Sequence, residues 1–239
     1  MNVSLDILRM DREKRIPYHQ IIPFETEDER ETVATALTAI NADPDVSDNT
    51  GKPVEPIVWE CSCLQKKCVA CAMRINGRPA LACDAKLRDL TDGKNAVITL
   101  EPLRKFPVVA DLMVDRSIMY ENLKQIGVWL RDEANLTQEK YDLAYEGSRC
   151  LQCGCCLEIC PNWYAGGAFF GTAAIVPTSR LLTTLPDAVQ KELRSASRKH
   201  LYGGCGKSLA CRKVCPAGID IDGLLVNSNA IAVWRRRRK

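Results

Sequence analysis

Thirteen cysteines in 239 residues constrain this chain more than any other feature. They fall into three tight groups: Cys61, Cys63, Cys68, Cys71 and Cys83; Cys150, Cys153, Cys155, Cys156 and Cys160; and Cys205, Cys211 and Cys215. Their number is odd, and neighbours within a group mostly stand too close for a framework of paired disulfides. Thiolates set out in this way read as metal ligands, and their use implies a reducing compartment.

In the first group Cys63, Cys68 and Cys71 make C-x4-C-x2-C, with Cys83 a short hairpin further on, the plant-type spacing for a 2Fe-2S cluster. The chemistry asks for a tight loop that wraps three thiolates around one side of the cluster while a separate strand supplies the fourth. Asn76-Gly77 marks the turn that returns Cys83. Zinc also takes four thiolates, but its structural sites usually show two C-x2-C-like pairs, so iron is the stronger reading. Cys61 is left over as a spectator thiol.

The second group, Cys150, Cys153, Cys156, Cys160 and Pro161, reads C-x2-C-x2-C-x3-C-P, in which the fourth cysteine ligates a different cluster from the first three. A second copy runs Cys205, Cys211, Cys215, Pro216, with Ser208 where a middle cysteine would stand. Exchanging the fourth cysteines assigns Cys150, Cys153, Cys156 and Cys215 to a 4Fe-4S cluster. Cys160, Cys205 and Cys211 remain, and three thiolates suit a 3Fe-4S cluster. Ser208 reads as a loop serine, with an alkoxide ligand as the alternative. Cys155 is surplus, and packing is its default role.

The remaining pattern predicts an α+β protein in two domains, residues 1–103 and 104–239. Alternation over Val3 to Leu8 and the run around Ile21 and Ile22 predict an opening hairpin, and Val33, Ala36, Leu37 and Ile40 a helix. Ile57 to Trp59 and Ala96 to Leu100 read as strands. Beyond Pro107 the spacing turns helical, from Ser117 as N-cap through Leu130, then over Thr137 to Tyr145 and Pro186 to Arg198. Met1 to Met10 lacks the apolar run of an export signal, and Ala168 to Leu182, broken by Pro177 and Arg180, is too short to span a bilayer. A net charge of +3 does not point to nucleic acid, and Arg235 to Lys239 reads as a solvated basic tail, with contact to anionic lipid or an anchor as the alternative.

Three groups in this order resemble the iron-sulfur subunits of succinate dehydrogenases and fumarate reductases. Supporting stretches are Trp59 to Gly77 ending in CAMRING-like sequence, LEPLRKFPVVADLMVDR at 100 to 116, CLEICPN at 156 to 162, FGTAA at 170 to 174 and CPAGI at 215 to 219. The resemblance implies a β-grasp 2Fe-2S ferredoxin domain followed by a helical ferredoxin domain with the other two clusters. It further implies a flavoprotein partner that carries FAD and interconverts succinate and fumarate, and a membrane anchor, such as a haem-bearing cytochrome b, that exchanges electrons with quinone. The place implied is the cytoplasmic face of the membrane, held through the anchor. No G-x-G-x-x-G follows a strand, and His19 and His200 stand in no catalytic pattern, so this chain is expected to do no substrate chemistry alone.

Some positions depart from the family. Lys66 and Val69 stand where members often carry Gly, so the loop must turn without glycine's freedom. Thr172 replaces a usual Pro and Ala217 a frequent Lys, changes on which ligation does not depend. Gly206 stands where ubiquinone-linked members carry His, and Cys205-Gly206-Lys207-Ser208 is similar to menaquinone-linked bacterial members. Competing expectations are a flavoprotein partner with another substrate, or a free multi-cluster carrier.

Overall fold

The computed structural model describes residues 1–91, 97–134 and 136–234. Ala96, the first residue of an expected strand, and the basic run Arg235 to Lys239 lie outside the described residues. The chain divides into two compact units, Met1–Asp115 and Arg116–Lys239.

In the first unit the alternation at the start buries Val3, Leu5 and Ile7 on one face of β1 (Asn2–Met10), which pairs antiparallel along its whole length with β2 (Pro17–Glu25). Pro23 is tolerated within β2 because that strand lies at the sheet edge. Thr32 and Thr35 form a reciprocal capping box that starts α1 (Val33–Ala42), and α1 buries Val33, Ala36, Leu37 and Ile40. The hairpin of β3 (Ala72–Ile75) and β4 (Arg78–Leu81) turns through Asn76 and Gly77, with φ of 47° and 75°, as a tight hairpin with two left-handed residues requires. After the single turn α2 (Leu87–Leu90), β5 (Val97–Glu101) enters the sheet parallel to β1 and antiparallel to β3, giving the order β2-β1-β5-β3-β4.

Two expectations change here. Ile57 to Trp59 joins no strand: the Val58 N–H donates to Asp111 Oδ2 and its carbonyl accepts from the Leu112 N–H, so its backbone is committed to a loop closure. The unit also runs past Leu103, through a ribbon of β6 (Val108–Ala110) and β7 (Met113–Val114). Buried Asp111 explains this reach. Its Oδ1 accepts from the Met10 N–H at 2.8 Å, and its Oδ2 lies 3.1 Å from Arg9 Nε, tying residues 9, 58 and 111 into one closure.

The second unit is helical. α3 (Ser117–Ile126) starts one residue earlier than expected, with Arg116 and not Ser117 at the N-cap position and no side-chain cap. It stops short of Leu130 because Gly127, at φ 79°, folds its N–H back onto Leu123 and Lys124 carbonyls. α4 (Gln138–Ser148), the short α5 (Cys155–Glu158) and α6 (Thr172–Thr184) follow. The helix expected from Pro186 is interrupted: Asp187–Val189 form a 3-10 turn and α7 covers Lys191–Ser197. Buried Gln190 causes the break by turning its side-chain amide onto the Leu182 and Leu185 carbonyls. A π-helical turn at Arg198–Tyr202, α8 (Ala210–Lys213), α9 (Ile221–Asn229) and a second π-helical turn at Ala230–Trp234 follow. α4 and α9 pack on α6, and Val176, Ile219, Ile221 and Leu224 form a core against which Cys150, Cys211 and Cys215 are packed. Among the described residues no helix is long and apolar enough to cross a membrane.

Candidate functional site

The first cysteine group sits on a loop whose backbone curls inward. Leu64, Lys66 and Val69 all take left-handed φ, at 51°, 59° and 57°. Alternating hands turns successive N–H groups toward one side, the arrangement that cradles anions. Cys63 Sγ accepts from the backbone N–H groups of Cys68 (3.2 Å), Gln65 (3.3 Å) and Lys67 (3.4 Å). Cys68 Sγ accepts from the Cys63 N–H, and Cys83 Sγ from the Lys66 N–H. The N–H donors of Cys68, Gln65 and Lys67 favour the thiolate and hold the Cys63 thiol down at about 6. Cys71, buried where β3 begins, is pushed up to about 12 by burial and hydrogen-bonds to Cys83. Loop and hairpin thus bring Cys63, Cys68, Cys71 and Cys83 to one side, while Cys61 is exposed.

In the second unit the cysteines line two hollows. One is walled by Cys150, Cys153, Cys156 and Cys215 together with Gln152 and Ala173. The other is walled by Cys160, Cys205 and Cys211, with Ser208 and Asn162 beside them. Thr172, at the start of α6, lines both. Among the described residues no three His, Cys, Asp or Glu side chains converge on a point for a single metal ion. Cysteine sulfurs are the donors that iron-sulfur clusters take, so the donor chemistry of the loop and of the two hollows fits such clusters.

Burial pushes Cys150 up to about 11 and raises Cys156 and Cys211 as well. Cys153 behaves differently: it is held down at about 7, first by a hydrogen bond from the Cys155 thiol and also by the nearby Arg116 charge. Cys155 is fully buried, so the surplus cysteine both packs and donates to a neighbouring sulfur. Of the other contributors, Gln152 and Arg116 had no sequence signal, and Thr172 was marked only as a departure on which ligation does not depend. Gln152 donates its side-chain amide to Cys150 Sγ, the Thr172 hydroxyl bonds the Cys211 sulfur, and Arg116 Nη1 reaches the Cys153 carbonyl.

A thiolate loop cradled by amides on a mixed sheet, with buried thiols around two hollows in a helical unit, defines an iron-sulfur electron carrier. Over 229 residues the chain is 33% identical to the succinate dehydrogenase iron-sulfur subunit of Bacillus subtilis, covering 91% of this chain and 84% of the relative. It is 31% identical over 190 residues to the fumarate reductase iron-sulfur subunit of Wolinella succinogenes, covering 71% and 72%. The chain belongs to the family of succinate dehydrogenase and fumarate reductase iron-sulfur subunits, and it is an electron-transfer subunit of that oxidoreductase class. The family described as "2Fe-2S iron-sulfur cluster binding domain" matches residues 4–121. A chain of the solved Mycobacterium smegmatis Sdh1 complex in the apo form has the same fold, with a TM-score of 0.76 at 24% identity over 98% of this chain and 97% of that one.

Proposed function

We propose that this chain relays electrons between the FAD of a flavoprotein subunit and a quinone site on a membrane anchor, at the cytoplasmic face of the membrane. When bound, 2Fe-2S, 4Fe-4S and 3Fe-4S clusters supply three one-electron stations. In this reading the first unit is a β-grasp ferredoxin domain and the second a helical ferredoxin domain.

The partition of seven cysteines between two hollows carries the reading. Cys215 lies with Cys150, Cys153 and Cys156, while Cys160 lies with Cys205 and Cys211. That is the exchange of fourth cysteines that paired ferredoxin motifs require. Each group of residues then has a stated task. Cys63, Cys68, Cys71 and Cys83 hold the 2Fe-2S cluster, and the loop amides stabilise thiolate charge. Cys150, Cys153, Cys156 and Cys215 hold the 4Fe-4S cluster, and the core of Val176, Ile219, Ile221 and Leu224 packed beside them limits access of water. Cys160, Cys205 and Cys211 hold the 3Fe-4S cluster, with Ser208 as a wall residue and not a ligand. Gly206, beside Asn162, leaves no imidazole next to Cys205, which supports menaquinone as the quinone.

Low-temperature electron paramagnetic resonance of the anaerobically purified chain, oxidised and then reduced, tests this, with iron and zinc counted on the same sample. The expected result is an oxidised 3Fe-4S signal, two reduced-state signals and about nine irons, the sum of the three clusters. Zinc in the first group, or a 4Fe-4S cluster at Cys160, Cys205 and Cys211, would overturn the assignment at that site.

A further inference from the structure

We propose that Gln152 is a positioning residue that sets the reduction potential of the cluster held by Cys150, through a hydrogen bond from its side-chain amide to Cys150 Sγ. This rests on the reading above, in which Cys150, Cys153, Cys156 and Cys215 share a 4Fe-4S cluster.

Gln152 stands in the first two-residue gap of the motif, between ligands Cys150 and Cys153, a place where a side chain has no ligating task. Its backbone is left-handed at φ 55°, a conformation uncommon for a residue other than glycine, and this turns the side chain back toward Cys150. Nε2 lies 3.2 Å from Cys150 Sγ and 2.9 Å from the Ala173 carbonyl oxygen at the start of α6. Both partners accept, and a carbonyl can only accept, so the NH2 end of the amide faces the sulfur. The second N–H, anchored to α6, fixes the angle of the first.

The other end of the amide completes the argument. Oε1 is buried and has no hydrogen-bond partner among the described residues. A glutamine present only to brace the loop would be expected to satisfy both ends. Here the amide dipole instead points its positive end at a thiolate sulfur and leaves its negative end away from it. Donors to cluster sulfur stabilise the more negative, reduced state and raise the potential. The rest of the hollow is largely apolar, lined by Leu151, Val176, Ile219 and Ile221 among others, so the amide acts in a medium of low polarity.

The test is the Gln152→Leu variant of the full chain, with each cluster titrated by electron paramagnetic resonance at controlled potential. Leucine keeps the bulk and removes the donor. The expected result is an about tenfold fall in the reduced-to-oxidised ratio of the 4Fe-4S cluster at fixed potential, or 59 mV for a one-electron couple. The 2Fe-2S and 3Fe-4S midpoints should stay in place. A fully loaded variant with an unmoved 4Fe-4S midpoint would reduce Gln152 to a loop brace and overturn the proposal. Should the variant lose iron, the unmutated protein labelled with nitrogen-15 at glutamine side-chain amides decides. A nitrogen hyperfine coupling on the reduced 4Fe-4S signal supports the bond, and its absence refutes it. If the unmutated chain shows no 4Fe-4S signal, the parent assignment falls and this inference with it.

Discussion

Replacing Asp111 by Asn should destabilise the first unit by about 3 kcal/mol, and the 2Fe-2S signal should report it. Asp111 is 4% exposed and Arg9 2%, so the pair is removed from solvent. The carboxylate takes the Met10 N–H on one oxygen and the Val58 N–H on the other, at 2.8 and 2.9 Å. Arg9 Nε stands 3.1 Å from Oδ2, an ion pair whose angle falls outside hydrogen bonding. Asparagine tolerates the left-handed φ of 41° at this position, so the backbone is spared. It can, however, offer only one oxygen, and its NH2 must face a donor. The unmet N–H costs about 1 to 3 kcal/mol, and stranding a buried charge about 3 to 5. The second range is the whole cost of removing one partner of a buried pair and already contains the first, and its lower end applies because Arg9 keeps Gln20 Oε1 and the Glu55 and Pro56 carbonyls. About 3 kcal/mol is roughly a hundredfold in the unfolding equilibrium. With a urea slope of roughly 1 to 3 kcal/mol/M for a unit of this size, the midpoint should fall by roughly 1 to 3 M. The assay is the visible circular dichroism of the 2Fe-2S cluster against urea at a fixed incubation time, since cluster loss is a kinetic endpoint. Val58 leads directly into the cysteine loop, so this signal should fail before the 3Fe-4S resonance. The companion variant Arg9→Met/Asp111→Asn removes the stranded charge and should recover most of the loss. A shift below roughly 0.3 M for Asp111→Asn, or no recovery in the double variant, would refute the reasoning.

Four further outcomes are expected. Ser208→Cys should convert the 3Fe-4S cluster proposed at Cys160, Cys205 and Cys211 to 4Fe-4S, lower its potential and slow quinone reduction; an unchanged oxidised 3Fe-4S spectrum would count against placing Ser208 at the missing ligand position. Lys66→Gly should make the 2Fe-2S loop more resistant to urea by up to about 1 kcal/mol, because it relieves a left-handed backbone at the expense of a half-exposed ion pair with Asp84. Val69→Gly should bring no gain, since burial of that valine, 7% exposed, is worth about as much as the strain; comparing the two midpoints checks the balance. Thr172→Pro should leave α6 intact, since proline suits a first helical position, yet lower the 3Fe-4S potential by removing the hydroxyl from Cys211, as read by redox titration.

Spacing along the chain was enough to name the eleven cysteines that line one loop and two hollows, because metal ligation by nearby thiolates is a local demand on sequence. Alternation in β1, the helical spacing of Val33, Ala36, Leu37 and Ile40 in α1 and the Asn76-Gly77 turn were legible for the same reason: each acts over a few residues. The departures at Lys66 and Val69 marked two of the three loop positions whose φ is positive, although glycine itself is missing there; Leu64 carried no such mark. What the sequence could not decide depends on distant partners. Ile57 to Trp59 has strand composition, but Asp111 claims the Val58 N–H and keeps it out of the sheet. Gln190 broke a helix that its own segment favoured, by reaching carbonyls at the end of α6. Gln152 looks unremarkable in the motif and Thr172 reads only as a tolerated departure, and both take on electrostatic tasks only where α6 delivers a carbonyl and a hydroxyl to the hollows. The proposed ligand set is thus written in local spacing, whereas the field around each sulfur is set by residues that only tertiary packing brings within hydrogen-bonding distance.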